Sequence, residues 1–253
     1  MTILQHETNL HKQVVLITGA ARRIGADIAR YLHSFGMNIV LHFNTSTKQA
    51  TQLYQELDAQ RSNSVLLLQA NLSDTTIVPQ LIQTTYSWQQ RIDLLVNNAS
   101  NYYPTPIESA NETHWEDLMN VNLKMPFFLA RHAAPLLKET RGNIINLVDI
   151  HAERPLKNYP IYSIAKAGNA MMVKALAREL APEVRVNGIA PGLILWSEAE
   201  QKEYTQKSIL NRIPLQRMGS TEDIVRTVLF LHRDAVYVTG QIIAVDGGRT
   251  IQQ

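Results

Sequence analysis

The 253-residue chain contains no cysteine. That absence excludes disulfides, thiolate metal sites, iron–sulfur clusters and cysteine nucleophiles together, and it leaves a composition compatible with a reducing cytosol, so a cytoplasmic setting is expected. A dominant charge is missing too. With 24 Lys+Arg against 22 Asp+Glu, the formal net charge is +2, too slight for a face built to neutralise a phosphate backbone, and nucleic acid is not an expected partner. No apolar run approaches the roughly 18 to 20 residues that span a bilayer, and the opening MTILQHETNLHKQ has no signal-peptide core, so no membrane association is expected. That opening reads as a short polar arm ahead of the first strand, or as disorder. No repeat, low-complexity tract or Pro/Gly-rich linker divides the chain, so a single domain over 1–253 is the simplest organisation.

What is present is a series of apolar, β-branched runs with room for one helix between each pair. Val14 to Gly19, Asn38 to Phe43, Ser64 to Ala70, Ile92 to Asn98, Asn143 to Val148, Val184 to Ala190 and Gln241 to Gly248 all read as strands. Continuous rather than alternating apolar character indicates strands buried on both faces, as in a parallel sheet. Between Gly25 and Gly36, Ile28, Ala29, Leu32 and Phe35 form one apolar stripe, with Asp27, Arg30 and His33 free to face water. The alternation predicts an α/β, doubly wound fold: a seven-stranded parallel sheet with helices on both faces. From Leu193 to about Gly219 the spacing is too long for one crossover; Trp196, Tyr204, Ile209 and Leu210 there suit a small helical lid or an ordinary surface excursion.

VVLITGAARRIG places a buried strand, a tight turn at Thr18-Gly19 and a helix opening near Arg23-Ile24-Gly25. A helix N-terminus offers unpaired N–H groups and a positive dipole end to a pyrophosphate, and Gly19 lets the backbone approach it. Arg23 takes the middle glycine position of the usual turn, and two adjacent guanidiniums, Arg22 and Arg23, suggest additional negative charge such as a 2′-phosphate. The end of the second strand reads His42-Phe43-Asn44-Thr45-Ser46 without the carboxylate that accepts from the ribose of NAD. With Ser46, Asn44 and Arg23 as donors, NADP is favoured. The same residues also read as a polar loop with Ser46 capping the next helix.

Tyr162 and Lys166 are four apart, on one face if helical. An ammonium beside a tyrosine lowers its pKa and speeds proton transfer, which suits carbonyl or imine reduction. Together with TGAARRIG, Asn71-Leu72, NNAS at Asn97 to Ser100, VNL around Asn122, INLV before Asp149, NGIAPG at Asn187 to Gly192 and VDGG at Val245 to Gly248, this pair resembles the short-chain dehydrogenase/reductase family over nearly the whole chain. The resemblance implies a Rossmann-like fold with NADPH across the C-terminal strand ends, contacted by Gly19, Arg22, Arg23, Ile24, Gly25, His42, Phe43, Asn44, Ser46, Asn71, Leu72, Asn98, Ala99, Ser100, Pro191 and Gly192. It further implies Tyr162 as the acid, Lys166 holding the ribose and lowering the tyrosine pKa, Asn122 supporting a proton-relay water, and a homotetramer built on helices from about Asn111 to Leu137 and Tyr162 to Leu180. Phe127, Phe128, Met171 and Met172 on those helices suit an interface or the core equally.

One departure is informative. The family usually carries a serine thirteen residues before the tyrosine, where this chain has Asp149. An ionised carboxylate only accepts, and it would repel a carbonyl oxygen gaining negative charge. It suits a substrate that presents N–H groups, or else it caps a loop away from the site. With Arg23, NASNYYPTP and PGLILW, this feature resembles the pteridine reductase subgroup. That resemblance implies Tyr102 stacking on a pterin or folate, Ser100 bonding its aminopyrimidine edge or a cofactor phosphate, and Asp149, Tyr162, Leu193 and Trp196 completing the pocket. Tyr102 and Tyr103 also read as simple packing under a loop. Thr45 stands where an arginine is frequent near the 2′-phosphate, and Ile194 where a small polar residue is expected. The rival readings are a reductase of 3-oxoacyl thioesters or other ketones, opposed by Asp149, and a non-catalytic NADP(H)-sensing protein, opposed by the intact Asn122, Tyr162 and Lys166 set. No metal is expected.

Overall fold

A computed structural model describes residues 10–196 and 203–251. The arm reading for residues 1–9 and the lid residues 197–202 lie outside the described residues, as does the side chain of Tyr204. The chain alternates strands and helices in the predicted order: Val14–Ile17 (β1), Arg23–Ser34 (α1), Asn38–Phe43 (β2), Thr47–Gln60 (α2), Val65–Gln69 (β3), Val78–Gln89 (α3), Leu94–Asn97 (β4), Glu112–Met119 (α4), Met125–Thr140 (α5), Asn143–Leu147 (β5), Pro160–Leu180 (α6), Arg185–Pro191 (β6), Glu203–Leu210 (α7), Thr221–Leu229 (α8) and Ile242–Val245 (β7).

The strands form one seven-stranded sheet in the order β3-β2-β1-β4-β5-β6-β7, every pair parallel. The direction of winding reverses between β1 and β4, which opens a crevice at their C-terminal ends. Strands β1, β2, β4 and β5 are buried along their whole length, as their continuous apolar runs predict. The sheet edges differ: β3 and β7 are only partly covered, because an edge strand has a neighbour on one side alone. One core layer packs α1, α2 and α8 on the sheet through Ile28, Leu32, Leu53 and Val228, and the other packs α3, α5 and α6 through Leu81, Leu129 and Val173.

Two details of α1 correct the helical-stripe reading. Ile28, Ala29 and Leu32 are buried, but Phe35 lies past the helix end, 40% exposed, with its ring against Tyr31 at 5.1 Å. His33, expected to face water, is buried with its Nε2 2.8 Å from Ser64 Oγ. The helix expected from Asn111 to Leu137 is interrupted by a π turn, Asn120–Lys124, between α4 and α5. Pro126 explains the break: it has no N–H to give the Asn122 carbonyl four residues earlier. Pro160 opens α6, its missing N–H harmless in the first turn.

Candidate active site

Every loop that enters the crevice leaves the C-terminal end of a strand: the turns after β1 and β2, and the segments after β3, β4, β5, β6 and β7. They enclose an open cleft of about 570 Å³. At its nucleotide end the turn after β1 brings Gly19, Arg22, Arg23, Ile24 and Gly25 to the wall. Arg23 has φ +54°, a left-handed conformation that glycine adopts freely and that costs an ordinary residue of order 1 kcal/mol. A strained arginine in an exposed turn at the mouth of a helix is what an anion site would retain for its guanidinium. Gly25 is required for closeness, since a Cβ there would stand 2.4 Å from the Gly19 carbonyl oxygen and 2.6 Å from Asn98 Nδ2.

Phe43, Asn44, Thr45 and Ser46 form the adjoining wall, with Asn71 and Leu72 beyond them. Ser46 precedes α2, but its hydroxyl makes no capping bond, which removes the loop-cap alternative. Asp149 is the one carboxylate in the cleft wall among the described residues, and it follows β5, three strands from β2 in the sheet. The wall formed after β1 and β2 therefore carries donors and no carboxylate. No group of three or more His, Asp or Glu side chains that could hold a metal ion occurs among the described residues.

Two residues expected to contact the cofactor line the cleft and also act as struts. His42 is 1% exposed; its Nδ1 accepts the Gly19 N–H at 3.2 Å and its Nε2 bonds the Ala70 carbonyl at 3.1 Å. Burial depresses its pKa to about 4, so the ring is neutral and both nitrogens are spent shaping the turn. Asn98 Nδ2 is similarly spent, donating to the carbonyls of Thr18 and Gly19 at 2.8 and 3.0 Å. Thr18 Oγ accepts from the N–H groups of Asn98 and Ala99 at 3.0 Å, tying the two loops together.

In the middle of the cleft, Tyr162 and Lys166 rise from one face of α6 and Asp149 follows β5. Asp149 combines both of its sequence readings. One carboxylate oxygen caps a single helical turn by accepting the His151 N–H at 2.8 Å, and the other accepts the Tyr162 hydroxyl at 2.7 Å. Burial first, and then the Asp149 charge, push the Tyr162 pKa well above its ordinary value. Burial and the carboxylate, rather than Lys166, set the direction of that shift. Lys166 Nζ donates to the Leu147 carbonyl at 2.9 Å and lies 5.7 Å from the tyrosine ring centroid, whereas the carboxylate touches the hydroxyl itself. Burial lowers Lys166 to about 8, partly opposed by Asp149.

The loop after β4 carries Ser100 and Tyr102 into the cleft. Tyr102 is 44% exposed, with one face stacked on Tyr159 at 4.7 Å and its ring edge-on to Tyr162 at 5.0 Å. Tyr103 packs inward instead, donating to Asp117 Oδ2 at 2.8 Å; its pKa is pushed up to about 12 by burial and by that carboxylate. Asp117 also accepts Asn101 Nδ2 at 2.9 and 3.0 Å, so one residue of α4 clamps the loop, an arrangement with no local sequence signal.

Asn122 is buried behind the cleft wall rather than on it. Its Nδ2 donates to the carbonyls of Asn101 and Leu118 at 3.0 and 2.9 Å, which leaves Oδ1 to accept the Ser100 hydroxyl at 2.6 Å. Ser100 lines the cleft with a hydroxyl shared between Asn122 and Tyr162. Pro191, Gly192, Leu193 and Ile194 close the far side, and Gly192 admits no side chain because a Cβ would stand 2.6 Å from Asp246 Cα. Trp196 is partly buried and is not among the residues that line the cleft, whereas Leu195 is. The sequence reading also overlooked His151 and Arg249, which line the cleft.

Comparison with known proteins agrees with this architecture. Residues 19–250 match the family model described as enoyl-(acyl carrier protein) reductase. The chain is 33% identical to pteridine reductase 1 of Leishmania tarentolae, with 94% of this chain and 96% of that protein covered. It is 36% identical to a 3-oxoacyl-[acyl-carrier-protein] reductase of Synechocystis, with 95% and 98% covered, and 35% identical to one of Staphylococcus aureus, with 92% and 96% covered. With a matching family model over almost its full length, a parallel seven-stranded sheet and a Tyr–Lys pair at the strand ends, the chain belongs to the short-chain dehydrogenase/reductase family of oxidoreductases.

Proposed function

We propose that the protein is an NADPH-dependent pteridine reductase, converting dihydropterins or dihydrofolate to their tetrahydro forms. The observation that carries this reading is the polarity of the substrate half of the cleft. Asp149, when ionised, only accepts, and Ser100, placed between Asn122 and Tyr162, accepts as well as donates. A ketone or thioester carbonyl needs a donor where Asp149 stands; the N–H-rich edge of a reduced pterin needs acceptors. Tyr102 is half exposed at the cleft, where a flat heteroaromatic ring could pack against it for about 1 kcal/mol beyond its area burial.

When bound, NADPH supplies the hydride, which reduces the carbon of the pterin C=N bond while the nitrogen takes a proton. Arg22, Arg23, Asn44 and Ser46 would hold its phosphates, and Lys166, whose ammonium has N–H groups beyond the one given to Leu147, would hold its ribose. Tyr162 is kept protonated by burial and by Asp149, so it has a proton to give. As that hydrogen turns from Asp149 to the substrate nitrogen, Lys166 stabilises the phenolate left behind. The excursion from 193 to 219, with Ile194 packed against Gly219, would serve as the lid.

The relatives named for 3-oxoacyl-[acyl-carrier-protein] reduction support a second reading, which Asp149 opposes. NADPH oxidation by the purified protein, with dihydrobiopterin, dihydromonapterin, dihydrofolate and an acetoacetyl thioester in parallel, decides between them. A pterin preference is expected, and a thioester preference would replace this reading with the second.

A further inference from the structure

A line of buried amides runs from the middle of the sheet towards the cleft. The strand register sets Asn97 of β4 beside Asn146 of β5, and Asn97 Nδ2 donates to Asn146 Oδ1 at 2.9 Å. Asn146 Nδ2 donates in turn to Asn169 Oδ1 on α6 at 2.9 Å. Asn169 Nδ2 then donates to the main-chain carbonyl of Asn122 in the π turn at 2.8 Å. All four side chains are at most 3% exposed.

Buried amides stabilise a core only when paired, and apolar side chains would fill the same space without that demand. The far end of the line supplies a reason for them. In an uninterrupted helix the Asn122 carbonyl would bond the N–H of residue 126, but that residue is Pro126. Asn169 supplies the missing donor from a neighbouring helix. The acceptor left over, Asn97 Oδ1, is the other end of the line. Asn122, held by its carbonyl, uses its side-chain amide to hold Asn101 and Ser100 of the substrate loop.

We propose that Asn169 is a positioning residue for the reduction: it replaces the N–H that Pro126 lacks, fixes Asn122, and through Asn122 sets Ser100 relative to Tyr162. The inference rests on this cleft being the reductase site and not on the identity of the substrate. The test compares wild type with Asn169→Leu and Asn169→Asp on whichever substrate of the panel wild type reduces, with thermal melting and NADPH titration alongside. The substrate reading is judged on wild type alone, so its failure is separate from a failure here. In a variant that folds, kcat is expected to fall about tenfold, the scale of one lost hydrogen bond, with NADPH affinity within about twofold of wild type. Adding Pro126→Ala, which returns an N–H to the Asn122 carbonyl, is expected to recover part of the lost kcat. A folded variant with wild-type kcat, activity lost only in proportion to folded protein, equal losses of kcat and NADPH affinity, no recovery with Pro126→Ala, or failure of both variants to fold would each overturn the proposal.

Discussion

A carboxylate 2.7 Å from a buried phenol sets the acid–base state of the cleft before any ligand arrives. If Asp149 selects N–H-bearing substrates, Asp149→Ser should lower kcat/KM for pterins by about 100-fold or more, while NADPH affinity measured by fluorescence titration stays within about twofold. Unchanged pterin turnover would remove Asp149 from the reaction. Two histidines carry a separate pH dependence. Burial holds His42 and His232 near pKa 4 against an ordinary 6.5, so between those values the unfolded chain binds more protons than the native one. Stability therefore rises with pH across this window and is lost as pH falls from 6.5 to 4. Each histidine contributes at most about 1.4 kcal/mol per pH unit. Urea unfolding at a series of pH values measures the slope, and His232→Gln should reduce it, leaving the part due to His42 and to His33, whose pKa burial also lowers. A flat profile would contradict the assignment.

At the scale of elements, the nucleotide end depends on how closely α1 approaches the turn after β1. Gly25→Ala would press a methyl group into the Gly19 carbonyl and Asn98, displacing the helix N-terminus. NADPH affinity should fall about tenfold or more, read by titration, since about 1.4 kcal/mol of misplacement suffices. The substrate loop hangs on a different element. Asp117→Ala removes the clamp on Asn101 and Tyr103 and should destabilise the fold by about 2 kcal/mol, the scale of hydrogen bonds to a charged group. Substrate KM should rise more than NADPH KM in steady-state kinetics, because the loop carries Ser100 and Tyr102. Equal rises would show that Asp117 stabilises without orienting the loop.

Across the whole molecule, exposed apolar residues are scattered over many loops and helix ends, and four of them lie on α4, α5 and α6. Phe127 and Met171 are 42% and 63% exposed, with Trp115 and Ile164 at 45% and 48%, whereas Met172 is buried and Phe128 packs against the core. The ambiguity of these pairs in the sequence thus resolves into one core residue and one surface residue on each helix. We propose that the exposed set is where subunits meet in a homotetramer, since a monomer gains nothing by hydrating it. Light scattering after size exclusion should give about four times the chain mass, and Phe127→Asp with Met171→Asp should lower it. A monomer at micromolar concentration would refute the assembly.

The strand order in the chain, the helices between and the Tyr162–Lys166 pair were legible without coordinates, because periodicity and four-residue spacing are local properties of the backbone. So was the departure at Asp149. Which way that departure acts was not, since the Tyr162 proton answers to a carboxylate brought in from β5 and to burial under Tyr102, neither of which spacing specifies. That His42 and Asn98 line the cleft and also serve as struts was hidden for the same reason: their partners, Gly19, Ala70 and Thr18, are neighbours only across the sheet. The break before Pro126 was not read from the sequence, which suggested one continuous helix, and only the packing of α6 against the π turn decided that Asn169 would meet the Asn122 carbonyl. The sequence by itself determined the elements and the chemical groups available, while tertiary structure decided which donor meets which acceptor, because hydrogen bonds in a parallel sheet protein join residues tens of positions apart.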